Sequence, residues 1–131
     1  MSDKSYFDQR VGGQVRAEIV LDENGKPISS QGTSRTHYKI NLYLDTANPD
    51  VQAVTYKLDP TYYDPVREST DASAKFRIEL TTYGDYPVTV DAQVGTEIVR
   101  KVVGLSELLG LTYGAEASPA VQAALENIKK N

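Results

Sequence analysis

Val88-Thr89-Val90-Asp91-Ala92-Gln93-Val94 sets an apolar side chain at every second position and a polar one between them. That period of two belongs to a strand covered on one face, not to a helix, whose repeat is near 3.6 residues. The same beat runs outward in both directions. Upstream, Phe76, Ile78 and Leu80 alternate with Arg77 and Glu79, and Val54, Tyr56 and Leu58 repeat the pattern. Before them, Tyr38, Ile40, Leu42 and Leu44 alternate with Lys39, Asn41 and Tyr43 until Asn48-Pro49-Asp50 breaks the run. Earlier still, Val15, Ala17, Ile19 and Leu21 alternate with Arg16 and Glu18. They end at the turn signal Asp22-Glu23-Asn24-Gly25, and the polar stretch Ser29-Ser30-Gln31-Gly32-Thr33-Ser34 reads as loop. Downstream, Gly95 turns a hairpin into one more strand over Thr96–Val103. Strands with one apolar and one polar face, joined by short turns, describe antiparallel sheets packed face to face. The expected fold is therefore all-β, an immunoglobulin-like antiparallel β-sandwich with a short C-terminal α-helix. Without an inter-sheet disulfide or a buried Trp, composition alone leaves a jelly roll or a small barrel open.

The helix is expected near residues 118–130, with little helix elsewhere. Ser118 can cap it, Pro119 suits its first turn, and Val121, Leu125 and Ile128 fall on one face. Leu105, Leu108, Leu109 and Leu111 suggest a short helical turn packed on a sheet end. The chain thus divides into a sandwich over 1–104 and a C-terminal extension over 105–131. The amphipathic helix either covers an open end of the core, the favoured reading, or docks a partner.

Composition removes many functions. The 131 residues include no Cys, no Trp and one His, which excludes thiol catalysis, disulfides, thiolate zinc sites and His-rich metal centres. No cofactor or metal is expected. With 14 basic against 18 acidic residues, the chain has no basic footprint for nucleic acid or an anionic membrane. MSDKSYFDQRVGGQV lacks an apolar core that would mark a signal peptide, and no stretch is apolar enough to span a bilayer, so a cytoplasmic protein is expected. His37 has only Ser34 and Thr36 nearby and no nucleophile elbow, so it reads as a sheet-edge residue. Gly12-Gly13 precedes a strand rather than a helix, which rules out a phosphate cradle and suggests a hinge. Asp22, Glu23 and Asn24 resemble part of a calcium loop but lack its twelfth-position ligand. No acid, base and nucleophile trio can be assembled, and an enzyme is not expected.

One segment breaks the strand rhythm. Asp59 to Ser73 forms a loop of about fifteen residues where sandwich turns are usually much shorter, and long loops on a rigid scaffold often carry a binding site. Val54-Thr55-Tyr56-Lys57-Leu58-Asp59-Pro60-Thr61-Tyr62 leads into it. Pro65-Val66-Arg67 follows, then Phe76-Arg77-Ile78-Glu79-Leu80-Thr81-Thr82-Tyr83-Gly84-Asp85-Tyr86. In order and spacing these pieces resemble a YEATS domain, nearest to its prokaryotic branch, over about residues 35–103. Tyr38-Lys39-Ile40-Asn41-Leu42 is similar to the family's early strand.

The resemblance implies an immunoglobulin-like sandwich whose end loops form a reading pocket, which in eukaryotic members holds acylated lysine between two aromatic rings. Carried over by position, the rings fall on Tyr62 and Tyr83, the hydroxyl on Thr61 and a backbone amide near Tyr83 and Gly84. Asp59 stands where the family has His, and Thr82 where it usually has Gly. An ionised carboxylate accepts hydrogen bonds without donating them and favours a cation, although an Asp before Pro60 is also a common turn starter. Two Tyr faces can sandwich a planar amide or cover an ammonium, and Tyr also pins sandwich corners through its hydroxyl. Tyr43, Tyr63 and Tyr86 are expected to be packing or surface residues. Two functions remain. One is a non-enzymatic recognition or sensor module for a small ligand, or for an acylated or methylated lysine on a protein or peptide partner. The other is a structural sandwich for protein–protein assembly, with a homo-oligomer left open.

Overall fold

The computed structural model describes residues 5–31, 35–114 and 116–131, so Gly32, Thr33 and Ser34 of the expected loop lie outside the described residues. Among the described residues, eight strands form two antiparallel four-stranded sheets. They are β1 (Gly13–Ile19), β2 (Ser29–Gln31), β3 (Thr36–Thr46), β4 (Val51–Lys57), β5 (Val66–Ser69), β6 (Ile78–Thr82), β7 (Pro87–Val94) and β8 (Glu97–Gly104). In one sheet β3 pairs with β1, β2 and β6; the other runs in the order β5-β4-β7-β8. The described residues also form three α-helices, α1 (Tyr6–Val11), α2 (Leu105–Thr112) and α3 (Pro119–Lys130), and one 3-10 turn at Ala72–Ala74.

The alternation read from the sequence is the observed burial pattern along the long strands, but Leu21, expected on the apolar face of the first strand, is exposed beyond the end of β1. In β7, Val88, Val90, Ala92 and Val94 are buried while Thr89, Asp91 and Gln93 are not. Two elements carry no such signal. β5 lies inside the expected long loop; its one apolar residue, Val66, is exposed, and main-chain pairing to β4 in the register Val54↔Ser69 to Lys57↔Val66 holds it. α1 is too short to show a helical period. Ser5 caps its start, and Gly12, at φ 65° in the left-handed region, closes its end. Gly12 therefore terminates a helix rather than forming the expected hinge. Gly13 serves a different need, because a Cβ there would lie 2.0 Å from the Asp45 carbonyl oxygen. Phe76, expected in a strand, is buried at φ 55° just after Lys75 at φ 57°, and the strand begins only at Ile78.

The chain forms two compact units. The first contains Met1–Val15, Tyr43–Ile78 and Pro87–Val103. Tyr56, fully buried on β4, donates its hydroxyl to the Phe76 carbonyl at 2.8 Å. Burial pushes that phenol far above its ordinary pKa. α1 buries Phe7 and Val11 and is tied to β8 by polar contacts: Tyr6 and Arg10 bond Glu97, and Lys101 bonds Asp8.

The second unit contains Arg16–Leu42, Glu79–Tyr86 and Gly104–Asn131. Gly104 offers α2 no capping side chain, and Asp85 supplies one by accepting from the Ser106 amide at 2.9 Å and its hydroxyl at 2.8 Å. At the other end of α2, Thr112 donates to the Ala17 carbonyl at 2.7 Å and the Ile19 amide donates to the Tyr113 hydroxyl at 2.9 Å. These side chains satisfy main-chain groups of β1, which ends its sheet's strand path. α3 begins as read: Ser118 accepts from the Val121 amide, with Pro119 in the first turn. Its packed stripe is Val121, Ala124 and Ile128, with Leu125 only half-buried, so the expected stripe through Leu125 is turned by one position. No helix among the described residues is long and apolar enough to cross a membrane.

Candidate functional site

In the first unit, the β4–β5 loop is closed at its base by the Leu58 amide, which donates to the Pro65 carbonyl at 2.7 Å. Inside it, Asp59 Oδ1 accepts from the Thr61 amide at 3.0 Å and the Thr61 hydroxyl at 2.7 Å, and the Tyr62 amide donates to the Asp59 carbonyl. This is the turn chemistry that an Asp before Pro60 invites. The two bonds from Thr61 hold the Asp59 carboxyl below its ordinary pKa, so it is a carboxylate at neutral pH. They also engage the Thr61 hydroxyl within the loop. Tyr62 is half-buried, with the Arg67 guanidinium carbon 5.9 Å from its ring centroid. Tyr63 is wholly exposed.

In the second unit, the turn after β6 carries Tyr83, 42% exposed, between two buried residues. Thr82 closes the turn: its hydroxyl donates to the Gly84 carbonyl at 2.7 Å and accepts from the Gly84 amide at 3.1 Å. The amide that the resemblance offers to a ligand is thus bonded within the turn, a direct result of Thr in place of Gly. A Cβ on Gly84 would stand 2.7 Å from the Asn131 carbonyl carbon, so the residue also admits the backbone at the end of α3.

Two neighbours frame the Tyr83 ring. The Arg35 guanidinium carbon lies 4.6 Å from its centroid, and the His37 ring meets it edge-on at 5.5 Å and 76°. His37 does sit on β3 opposite Ser30, as a sheet residue, but it also braces Tyr83. Neither contact has a local signal in the sequence, because His37 on β3 and Arg35 just before it are far from Tyr83 along the chain. Elsewhere, the Tyr56 and Tyr113 hydroxyls each pin backbone, the role that is the second reading for Tyr62 and Tyr83. Among the described residues, no three His, Asp or Glu side chains gather as a metal-ligand set. Asp22 Oδ1 instead accepts from the Asn24 and Lys26 amides in a tight turn.

The family model of the prokaryotic YEATS domain matches residues 38–101, from β3 to β8, a stretch that contains both loops. Residues 38–101 form a prokaryotic YEATS domain. One solved structure supports the fold. The Yaf9 YEATS domain recognizing an H3K122suc peptide is similar at a TM-score of 0.53 and 13% identity, covering 86% of this chain and 87% of that one. The Yaf9 YEATS domain bound to H3K27ac gives 0.49 and 16%, over 71% and 72% of the two chains. A search of curated proteins finds no match. The fold is the immunoglobulin-like β-sandwich of YEATS domains.

Proposed function

We propose that the chain is a non-enzymatic recognition module that takes an acylated lysine, or a small planar ligand of similar shape, on a protein or peptide partner. The observation that carries this reading is the Tyr83 ring, 42% exposed on a turn fixed by Thr82 and Gly84, within a segment of YEATS type. The Yaf9 YEATS domain of the same fold recognizes a succinylated histone peptide, which supports a modified-lysine guest. By the family resemblance alone, Tyr62, Asp59 and Thr61 are proposed as ligand residues in the first unit, and Gly84 with Tyr83 in the second.

The geometry changes the preferred guest. Asp59 alone favours a cation, but its carboxylate is engaged by Thr61, and each ring already faces a guanidinium of this chain, Arg67 at Tyr62 and Arg35 at Tyr83. A second cation beside those faces is repelled, so a neutral acyl amide outranks a methylated or free ammonium. Binding is weak, because the Gly84 amide and the Thr61 hydroxyl already have partners.

Titrating the labelled protein with matched acetyl-lysine, trimethyl-lysine and unmodified lysine peptides by NMR tests this. The acetyl-lysine peptide is expected to shift the amides of 59–62 and 81–86 more than the other two, and Tyr83→Ala to remove the shifts without unfolding the chain. Silence at Tyr62 and Tyr83 with all three peptides overturns the reading. A structural role in assembly is the second reading, favoured by Ile98 and Val102, 69% and 60% exposed on β8, the terminal strand of its sheet. Self-association in sedimentation that Ile98→Asp abolishes is the result that reading expects.

A further inference from the structure

Beside the Tyr83 turn, and entirely within the second unit, lies a cleft of about 290 Å³ lined by Gln31, Arg35, Thr36, Asn127 and Asn131. Its walls come from the end of β2, the start of β3 and the end of α3. We propose that this cleft binds the carboxylate of an aspartate or glutamate side chain on a partner peptide, with Arg35 as its cation.

The lining contains no acidic side chain, and among the described residues no ion pair to Arg35 is formed. The lining side chains therefore carry one formal charge, the positive charge of Arg35. The Tyr83 ring, with its centroid 4.6 Å from the guanidinium carbon, restrains Arg35, which lowers the entropy lost when its fork meets a carboxylate. Internal hydrogen bonds then arrange the amides. Gln31 Oε1 accepts from the Thr36 hydroxyl at 2.9 Å, which leaves the Gln31 NH₂ group as a donor. Asn127 Oδ1 accepts from Asn131 Nδ2, and Asn127 Nδ2 spends one hydrogen on the Tyr38 hydroxyl and keeps the other. The donors left are thus Arg35 and the Gln31 and Asn127 amides, and Asn131 Oδ1 is an acceptor for a peptide N–H beside the carboxylate. A single cation matches a singly charged carboxylate better than a doubly charged phosphate. Arg35 is shared with the Tyr83 turn, but the lining includes neither Tyr62 nor Tyr83, so lysine-free peptides test the cleft apart from the acyl-lysine reading.

The test uses the full chain and N-acetyl-Gly-Glu-Gly-amide, its Gln analogue, acetate and inorganic phosphate, none of which contains lysine. The Glu peptide is expected to shift the side-chain NH₂ resonances of Gln31 and Asn127 and the Arg35 Nε–H. The Gln peptide should bind about tenfold more weakly, and added salt should weaken the Glu peptide. Arg35→Gln should cost about tenfold in affinity at unchanged Tm, with Arg35→Lys restoring part of it, and Asn131→Asp should do the same damage by placing a charge in the cleft. Equal binding of the Glu and Gln peptides overturns the proposal, as does an Arg35→Gln protein that binds like the parent. Acetate or phosphate binding as tightly as the Glu peptide overturns the assignment to a peptide side chain.

Discussion

Tyr56 and Thr82 each use a hydroxyl to hold a bend of the backbone, and each makes its position testable by one substitution. Tyr56→Phe leaves the buried Phe76 carbonyl without its donor, so we expect a loss of about 1–3 kcal/mol in urea unfolding with an unchanged m-value. Thr82→Gly restores the residue usual in the family and releases the Gly84 amide. The expected result is a stability loss of about 1–3 kcal/mol together with tighter binding of the acetyl-lysine peptide, read by calorimetry and NMR. Unchanged binding would mean that the amide plays no part in holding the guest. At this scale the sequence is uneven. The Asp59–Thr61 turn is legible because Asx chemistry is local, spanning two residues. The Arg35 and His37 contacts to Tyr83 are not legible, because only strand pairing brings β3 and the end of β6 together.

Among the elements, α3 offers the clearest measurement. Ile128 is fully buried and Leu125 half-buried, so Ile128→Ala should cost about 2–4 kcal/mol in chemical denaturation and Leu125→Ala distinctly less. The reverse order would place the stripe where the sequence spacing alone puts it. The long strands are readable because one apolar face repeats often enough to establish a period, as in β7 with four buried residues in eight positions. β5 and α1 are missed for a physical reason. β5 is held by main-chain hydrogen bonds to β4 and buries no apolar stripe, and α1 spans six residues, less than two turns. Phe76 looks like a strand residue by polarity alone, yet its backbone sits in the left-handed region while its side chain still reaches the core.

For the whole molecule, carboxylates set the acid limit. Asp91 accepts from Arg100 at 2.7 and 3.0 Å and lies 3.3 Å from the Lys57 ammonium; Glu97 accepts from Tyr6 and Arg10. These partners, Arg100 foremost for Asp91 and Tyr6 for Glu97, hold both carboxyls below their ordinary values of 3.8 and 4.5. The unfolded chain therefore takes up protons first. The stability they contribute is present above about pH 4.5 and is lost as pH falls through the lower folded values. Unfolding midpoints measured from pH 6 to pH 2 should drop most steeply below about pH 4, and Asp91→Asn should flatten that drop. The side chains that close the outer edge of β1 have a further consequence, which concerns time. Tyr113 follows Ile19 by 94 positions, so at a synthesis rate of about 5–20 residues per second the first strand leaves the ribosome roughly 5–19 s before its guard exists. For that interval a nascent chain carries an open β edge able to pair with any neighbour, and its solubility depends on whatever shelters it until Thr112 and Tyr113 arrive.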